Sequence, residues 1–231
     1  MVTVNLHCPR CQSVQVYHHG KNPKGHDQFR CRDCHQVFQL TYCYEARKAG
    51  VKDQITEMAF NGAGVRDTAR TLKISINNVI RTLKKISPRR ITSSPVAHAY
   101  VALICEPDKQ WCFVGSKVRE HWLWYAYNTK TGGVLVYTFG PRTDETCCEL
   151  LALLAPFTIG MLTTDEWGSY TRELPKKKHL AGKIFTQRID RNNLTLRTGI
   201  KHLALRTICF SRSVELHEKV IGAFIEKYMF C

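Results

Sequence analysis

The chain has 231 residues, 44% of them hydrophobic and 23% charged, a balance that builds packed cores and excludes a disordered protein. No apolar run approaches the roughly 18 residues that span a bilayer, and the opening residues lack the charged and apolar regions of a secretion signal, so a cytoplasmic protein without membrane attachment is expected. The formal charge of +15 points to a polyanion as partner, and residues 1–96 hold 16 Lys and Arg against 6 Asp and Glu where residues 97–231 hold 18 against 13, so both parts are basic and the front is the denser.

Eleven cysteines, an odd count, fit metal binding in a reducing compartment better than disulfides. The first element in the chain carries four of them. Cys8-Pro-Arg-Cys11 and Cys31-Arg-Asp-Cys34 form two C-x2-C pairs separated by nineteen residues. A two-residue gap lets a tight turn aim two thiolates at one ion, and zinc wants four such ligands at tetrahedral corners. Between the pairs, Val14 to Tyr17 and Gln28 to Arg30 alternate as short strands, with Asn22-Pro23-Lys24-Gly25 as the turn. Some forty residues hold little core, so a structural Zn2+ on Cys8, Cys11, Cys31 and Cys34 would supply most of the folding energy. His7, His18, His19, His26 and His35 read as solvated or structural, and Cys43 as a core residue. Residues 1–43 are therefore expected to be a zinc ribbon, with Lys21, Lys24, Arg30 and Arg32 leaning toward phosphate.

Residues 44–86 read as a helix-turn-helix. Val51, Ile55, Met58 and Ala59 repeat at helical spacing, and Asn61-Gly62-Ala63-Gly64 stops that helix. A second helix spans Val65 to Leu72 and ends at a turn at Lys73-Ile74. Ser75 caps a third, with Val79, Ile80 and Leu83 inward and Asn77, Asn78, Arg81, Lys84 and Lys85 outward. Amides for adenine edges and cations for phosphates or guanine are what a recognition helix offers. Residues 87–96, with two prolines and three serines, read as a linker.

Residues 97–231 alternate strand and helix. Val101 to Cys105 continues into Glu106 to Val114, a strand with an acid in its middle. His121 to Tyr127 and Val134 to Phe139 follow, joined by a turn at Asn128 to Gly133. A helix packs Leu150, Leu151, Leu153 and Leu154 inward. Ile159 to Asp165 is a fourth strand ending on an acid, Lys183 to Phe185 a short fifth, and a long helix begins near Thr186 with Ile189, Leu196, Ile200 and Leu203 buried. That order describes a ribonuclease-H-like mixed sheet with flanking helices, in an α+β multidomain chain. Its central first strand and its fourth lie side by side, so Asp108 and Asp165 would project into one small volume, with Asp190 brought in by the helix. Clustered carboxylates persist when cations neutralise them, and two Mg2+ ions suit an in-line phosphoryl displacement.

At this point the residues resemble a known family. Asp108-Lys109-Gln110-Trp111-Cys112-Phe113-Val114-Gly115, Thr164-Asp165-Glu166-Trp167, Thr186 to Leu194 and Phe210 to Gly222 resemble the insertion-sequence-one transposases. The paired-cysteine ribbon, Asn61-Gly62-Ala63-Gly64 and the third helix resemble that family's upstream product, so the resemblance covers nearly the whole chain, which reads as the joined product of two reading frames. It implies a DNA transposase that binds terminal inverted repeats, cleaves 3′ ends with water and transfers the strand to target DNA. It also implies a DDE-type triad with 24 residues between the second and third acids, the number that separates Asp165 from Asp190. Arg191 and Arg197 would hold phosphates, and pairing two element ends implies at least a dimer. Two positions depart from the family: Asp190 stands where Glu is usual, one methylene shorter, and Pro107 sits beside Asp108 in a central strand, where it removes a ladder N–H and leaves either a bulge or a damaged site open. The alternatives are a repressor or inactive relic that binds DNA through the front half, and a nuclease without strand transfer.

Overall fold

A computed structural model describes residues 6–40, 45–93, 103–165, 168–174, 176–182, 187–204 and 211–230. They fall into two compact units, residues 1–51 and 52–231, each with its own core. Among the described residues no helix is long and apolar enough to cross a membrane.

The first unit is a three-stranded antiparallel sheet, β1 (Val16–Lys21), β2 (Asp27–Cys31) and β3 (Val37–Phe38). The turn between β1 and β2 lies where Asn22-Pro23-Lys24-Gly25 places it. The Asn22 side chain accepts hydrogen bonds from the backbone of Lys24 and His26 at 2.9 Å, a local closure that asparagine supplies in turns. β1 begins two residues later than the alternation from Val14 predicts: the Val14 carbonyl accepts from Val16 N–H in a tight local turn, and Val14 is exposed. The core holds Cys8, Cys31 and Phe38, with Leu6, Val16 and Phe29 partly buried against it.

The second unit starts with three helices, α1 (Val51–Phe60, whose first residue falls in the other unit), α2 (Val65–Thr71) and α3 (Ile76–Lys85). Ser75 caps α3, its hydroxyl accepting from Asn78 N–H, which satisfies one of the orphan donors of the first turn. Val79 and Leu83 are buried, while Asn77, Arg81, Lys84 and Lys85 are exposed and Asn78 is half-buried. Lys73 takes a left-handed φ of 52° in the turn before α3. Residues 88–92, read as linker, run along the sheet: Thr92 N–H donates to Leu135, Tyr137 N–H donates to Arg90, and Ile91 pairs with Val136.

The sheet comprises β4 (Leu103–Val114), β5 (Ser116–Asn128), β6 (Gly133–Gly140), β7 (Ile159–Thr164) and β8 (His179–Ala181), in the order β6-β5-β4-β7-β8. The first three form an antiparallel meander, and β7 and β8 join parallel. The fifth strand expected at Lys183 to Phe185 lies outside the described residues. Helices α4 (Asp144–Leu154) and α5 (Gly168–Glu173) follow β6 and β7, and α6 (Gln187–Gly199) and α7 (Val214–Tyr228) close the chain.

Strand alternation assigns the helices to faces. Lys109 and its partner Trp124 meet Tyr170 of α5, whereas Asp108 and its partner Tyr125 meet Asn193 of α6. Cys112, on the Asp108 face, meets His217 of α7. Trp124, Tyr125 and Ala126 are consecutive and fully buried, as a strand covered on both faces requires. Pro107 pairs opposite Ala126 with no shift of register on either side, so the bulge expected there is absent. The parallel register to β7 runs only to Cys105, before the proline.

Candidate active site and DNA-contacting elements

Asp108 lies in β4 and Asp165 directly follows β7. The register pairs Cys105 with Leu162, and each acid lies three residues beyond that last pair. Asp108 is half-buried, and its carboxylate accepts from Asn193 Nδ2 at 2.7 Å. Burial pushes its pKa up, the Lys109 N–H and Asn193 amide pull it back, and the charge of Asp165 adds to the rise. A carboxylate in that position holds its charge best against a cation.

Asp165 accepts from Lys109 Nζ at 2.9 Å, where the carboxylate side chain is 43% exposed and the lysine 5%. The ammonium lies 5.1 Å from the Tyr170 ring centre and 6.0 Å from that of Trp124, aromatic faces that attract a cation. Lys109 rises from the α5 side of the sheet and Asp108 from the other, so the lysine draws one Asp165 oxygen toward the α5 side.

Asp190 is exposed in the first turn of α6. Its charge contributes to raising the Tyr125 phenol, after burial and Asp108. Arg191 and Arg197 are exposed on the same helix. Among the described residues, Cys8, Cys11, Cys31 and Cys34 are the group whose ligating atoms all lie within 4.8 Å of one another. Asp108, Asp165 and Asp190 do not form such a group.

Two contacts of this site were not singled out by the sequence. Tyr125 donates its O–H to Asn193 Oδ1 at 2.8 Å, and Asn193 in turn donates to Asp108. The signal for Asn193 is its position three residues after Asp190, on one face of a helix. Tyr125 becomes visible only once the hairpin register opposite Asp108 is known.

In the ribbon, Cys8 and Cys34 sulfurs stand 3.5 Å apart, as do those of Cys11 and Cys31. Thiolates around a zinc ion with bonds of about 2.3 Å stand roughly 3.8 Å apart, so the cluster fits that ion with little movement. Burial would raise the Cys8 thiol, but backbone N–H groups of Cys11 and Arg10 and the neighbouring thiols bring it down to about 7. The nearby histidines stay out of the group, and His18 faces Asp27 instead.

A family model described as IS1 transposase matches residues 102–231. Two more, the InsA C-terminal domain and the InsA N-terminal domain, match residues 42–87 and 1–35. The chain is similar to the insertion element iso-IS1n protein InsB of Shigella dysenteriae, 82% identical over 130 residues, which is 56% of this chain and 99% of that protein. It is also similar to the iso-IS1N protein InsA of Shigella dysenteriae, 82% identical over 84 residues, 36% of this chain and 93% of that protein. The IS1 9 protein InsB of Escherichia coli strain K12 is 42% identical over 144 residues, 62% of this chain and 86% of that protein.

Proposed function

The chain belongs to the IS1 transposase family, and from that premise we propose which residues of this DDE-type insertion-sequence transposase perform its chemistry on DNA. Asp108, Asp165 and Asp190 are the catalytic acids. The observation that supports the reading is the strand register, which pairs Cys105 with Leu162 and so leaves Asp108 and Asp165 each three residues beyond the last pair of β4 and β7. The strand order and the helices on both faces support a ribonuclease-H-like catalytic domain over residues 97–231. They follow a ribbon at 1–43, a helix-turn-helix at 44–86 and a linker at 87–96.

Carboxylates offer the hard oxygen ligands Mg2+ takes, and a half-buried Asp108 near the charge of Asp165 fits that role. Divalent cations bound there would activate the attacking oxygen and stabilise the leaving one. The chain's own residues prepare the reaction. Lys109 anchors Asp165 through one oxygen and Asn193 anchors Asp108, while Asp190 stands in the first turn of α6, one turn before Asn193. Arg191 and Arg197 are placed to hold the phosphodiester backbone, which positions the scissile bond without reading sequence.

Sequence reading belongs to α3. Asn77, Asn78, Arg81, Lys84 and Lys85 line its outward side and would enter the major groove of the terminal inverted repeat. Cys8, Cys11, Cys31 and Cys34 hold one structural zinc ion. Because a transposition event joins two ends to a target, the working form is at least a dimer on DNA.

The test incubates the purified chain with Mg2+ and a labelled duplex bearing the element's own end. Wild type is expected to cut the 3′ end and join it to target DNA, with both products lost in Asp165→Asn while end binding persists. Asp190→Glu, which restores the longer arm usual in the family, is expected to cut at least as fast as wild type. Specific end binding without cleavage by wild type or Asp190→Glu would overturn the catalytic assignment.

A further inference from the structure

We propose that Asn193 is a positioning residue for Asp108 and that Tyr125 sets the rotation of its amide. The inference rests on the reading of Asp108 as a ligand of the catalytic cation.

The chemistry of the three side chains leaves one arrangement. An ionised carboxylate only accepts hydrogen bonds, so the amide must present its nitrogen to Asp108. Asn193 Nδ2 does so at 2.7 Å. The amide oxygen then faces away, and it meets the Tyr125 hydroxyl at 2.8 Å. With the oxygen as acceptor, the phenol must donate. If the amide rotated by half a turn, its oxygen would oppose the carboxylate and its nitrogen would lose Asp108.

Tyr125 is suited to prevent that rotation. It is fully buried, pairs directly opposite Asp108 across β4 and β5, and has its phenol held in the neutral form by burial and the charge of Asp108. Its hydroxyl also lies 3.4 Å from the Ile189 carbonyl, the residue before Asp190. One buried phenol therefore ties the amide, and through it α6, to β5, the strand paired with the one that carries the first acid. Asn193 itself sits one turn past Asp190, so the same contact fixes the height of the third acid over the sheet.

Groups that orient metal ligands from behind typically account for 10–100-fold in metal affinity or activity. Asn193→Ala is expected to weaken Mn2+ binding by the full-length protein, measured by calorimetry, by about tenfold or more. The Mg2+ concentration for half-maximal end cleavage should rise by a similar factor, and binding of the terminal repeat should stay at the wild-type level. Tyr125→Phe keeps the ring packed and serves as the second variant should alanine unsettle α6. It should weaken Mn2+ binding in the same direction by a smaller factor. Because Tyr125 acts through Asn193, the double variant should bind Mn2+ no worse than Asn193→Ala alone.

Wild-type Mn2+ affinity in Asn193→Ala overturns the proposal, as does a Tyr125→Phe loss that repeats in full in the Asn193→Ala background. Asp108→Asn is the reference. If it abolishes Mn2+ binding and cleavage while Asn193→Ala changes neither, the positioning role alone fails. If it too binds Mn2+ and cleaves as wild type, the ligand assignment fails and the positioning role with it.

Discussion

At the scale of single residues, the second unit stores an unusual polar contact beneath α7. His217 is 2% exposed, with Nε2 at 2.9 Å from the Cys112 thiol and Nδ1 at 3.0 Å from the Ser211 hydroxyl. Burial, and then the charges of His121 and His202, hold its imidazole down at about 3, while burial and the Glu218 charge push the Cys112 thiol up to about 12. The pair is therefore thiol and neutral imidazole across the working pH range. It serves packing, without the thiolate a nucleophile needs. A consequence for stability follows from the sign of the histidine shift. An unfolded histidine takes a proton near pH 6.5, whereas the folded one refuses it until about 3. The contribution is complete above pH 6.5 and drains away as pH falls toward 3, by about 1.4 kcal/mol per pH unit. Replacing the imidazole with a side chain that does not titrate isolates this residue from the other acids and histidines. Between pH 6 and pH 4.5, the unfolding free energy of wild type should drop by about 2 kcal/mol more than that of His217→Gln. Parallel stability curves for the two proteins would show that the imidazole is not kept neutral by the fold.

At the scale of elements, α7 is the piece on which several others meet. Phe60, at the end of α1, packs edge-on against Phe224 with ring centres 5.2 Å apart and also touches Tyr228. Glu57 bonds to Lys227 and Tyr228, and Arg89 to Glu226. The other side of Phe224 is closed by Gly199, the last residue of α6, where an added Cβ would stand 2.2 Å from the ring. Alanine there gains up to about 1 kcal/mol of helix propensity, less at a helix end, and forces an overpacking that costs about 1–3 kcal/mol. The ring cannot retreat, because Phe60 and Tyr228 hold it. Gly199→Ala should therefore lower the urea midpoint by an amount worth about 1–2 kcal/mol, and adding Phe224→Leu should recover part of it; a midpoint at or above wild type in the single variant would show that the helices slide to make room. The sequence made parts of this arrangement readable and left others dark. The bounds of α1, the Ser75 cap and the inward Val79 and Leu83 follow from local periodicity and cap chemistry, which act within one turn. The alternation around Asp108 and the acid closing β7 likewise reveal strands. What joins them is nonlocal. Nothing near Phe60 specifies Phe224, and nothing near residues 88–92 shows that this Pro-Arg-Arg-Ile-Thr stretch borders β6. The link from Tyr125 through Asn193 to Asp108 depends on register, which a sequence pattern fixes only when the turn is known.

At the scale of the whole molecule, two cores of unequal kind stand in one chain. The second unit buries aromatic and aliphatic side chains on both faces of a five-stranded sheet and draws its stability from apolar area. Among the described residues of the first, the core cluster holds three buried side chains, Cys8, Cys31 and Phe38, two of them members of the thiol cluster. A core that small falls short of offsetting the conformational entropy of some forty residues, so its folding energy must come from the ion the thiols hold. The distribution of tryptophan makes the difference measurable. All four tryptophans, Trp111, Trp122, Trp124 and Trp167, lie in the second unit, so their emission reports that unit alone. A strong chelator should release one zinc ion per chain, detected with a colorimetric dye, and remove the sheet signal of the ribbon. Tryptophan emission and the midpoint of the tryptophan-monitored melt should remain where they were. Cys8→Ser should reproduce the chelated state without chelator, since three ligands leave an open corner in a site that needs four. A tryptophan-monitored melt that moves down on chelation would show that the sheet draws stability from the ribbon. The ribbon's fold would then be part of the catalytic unit's own energy balance.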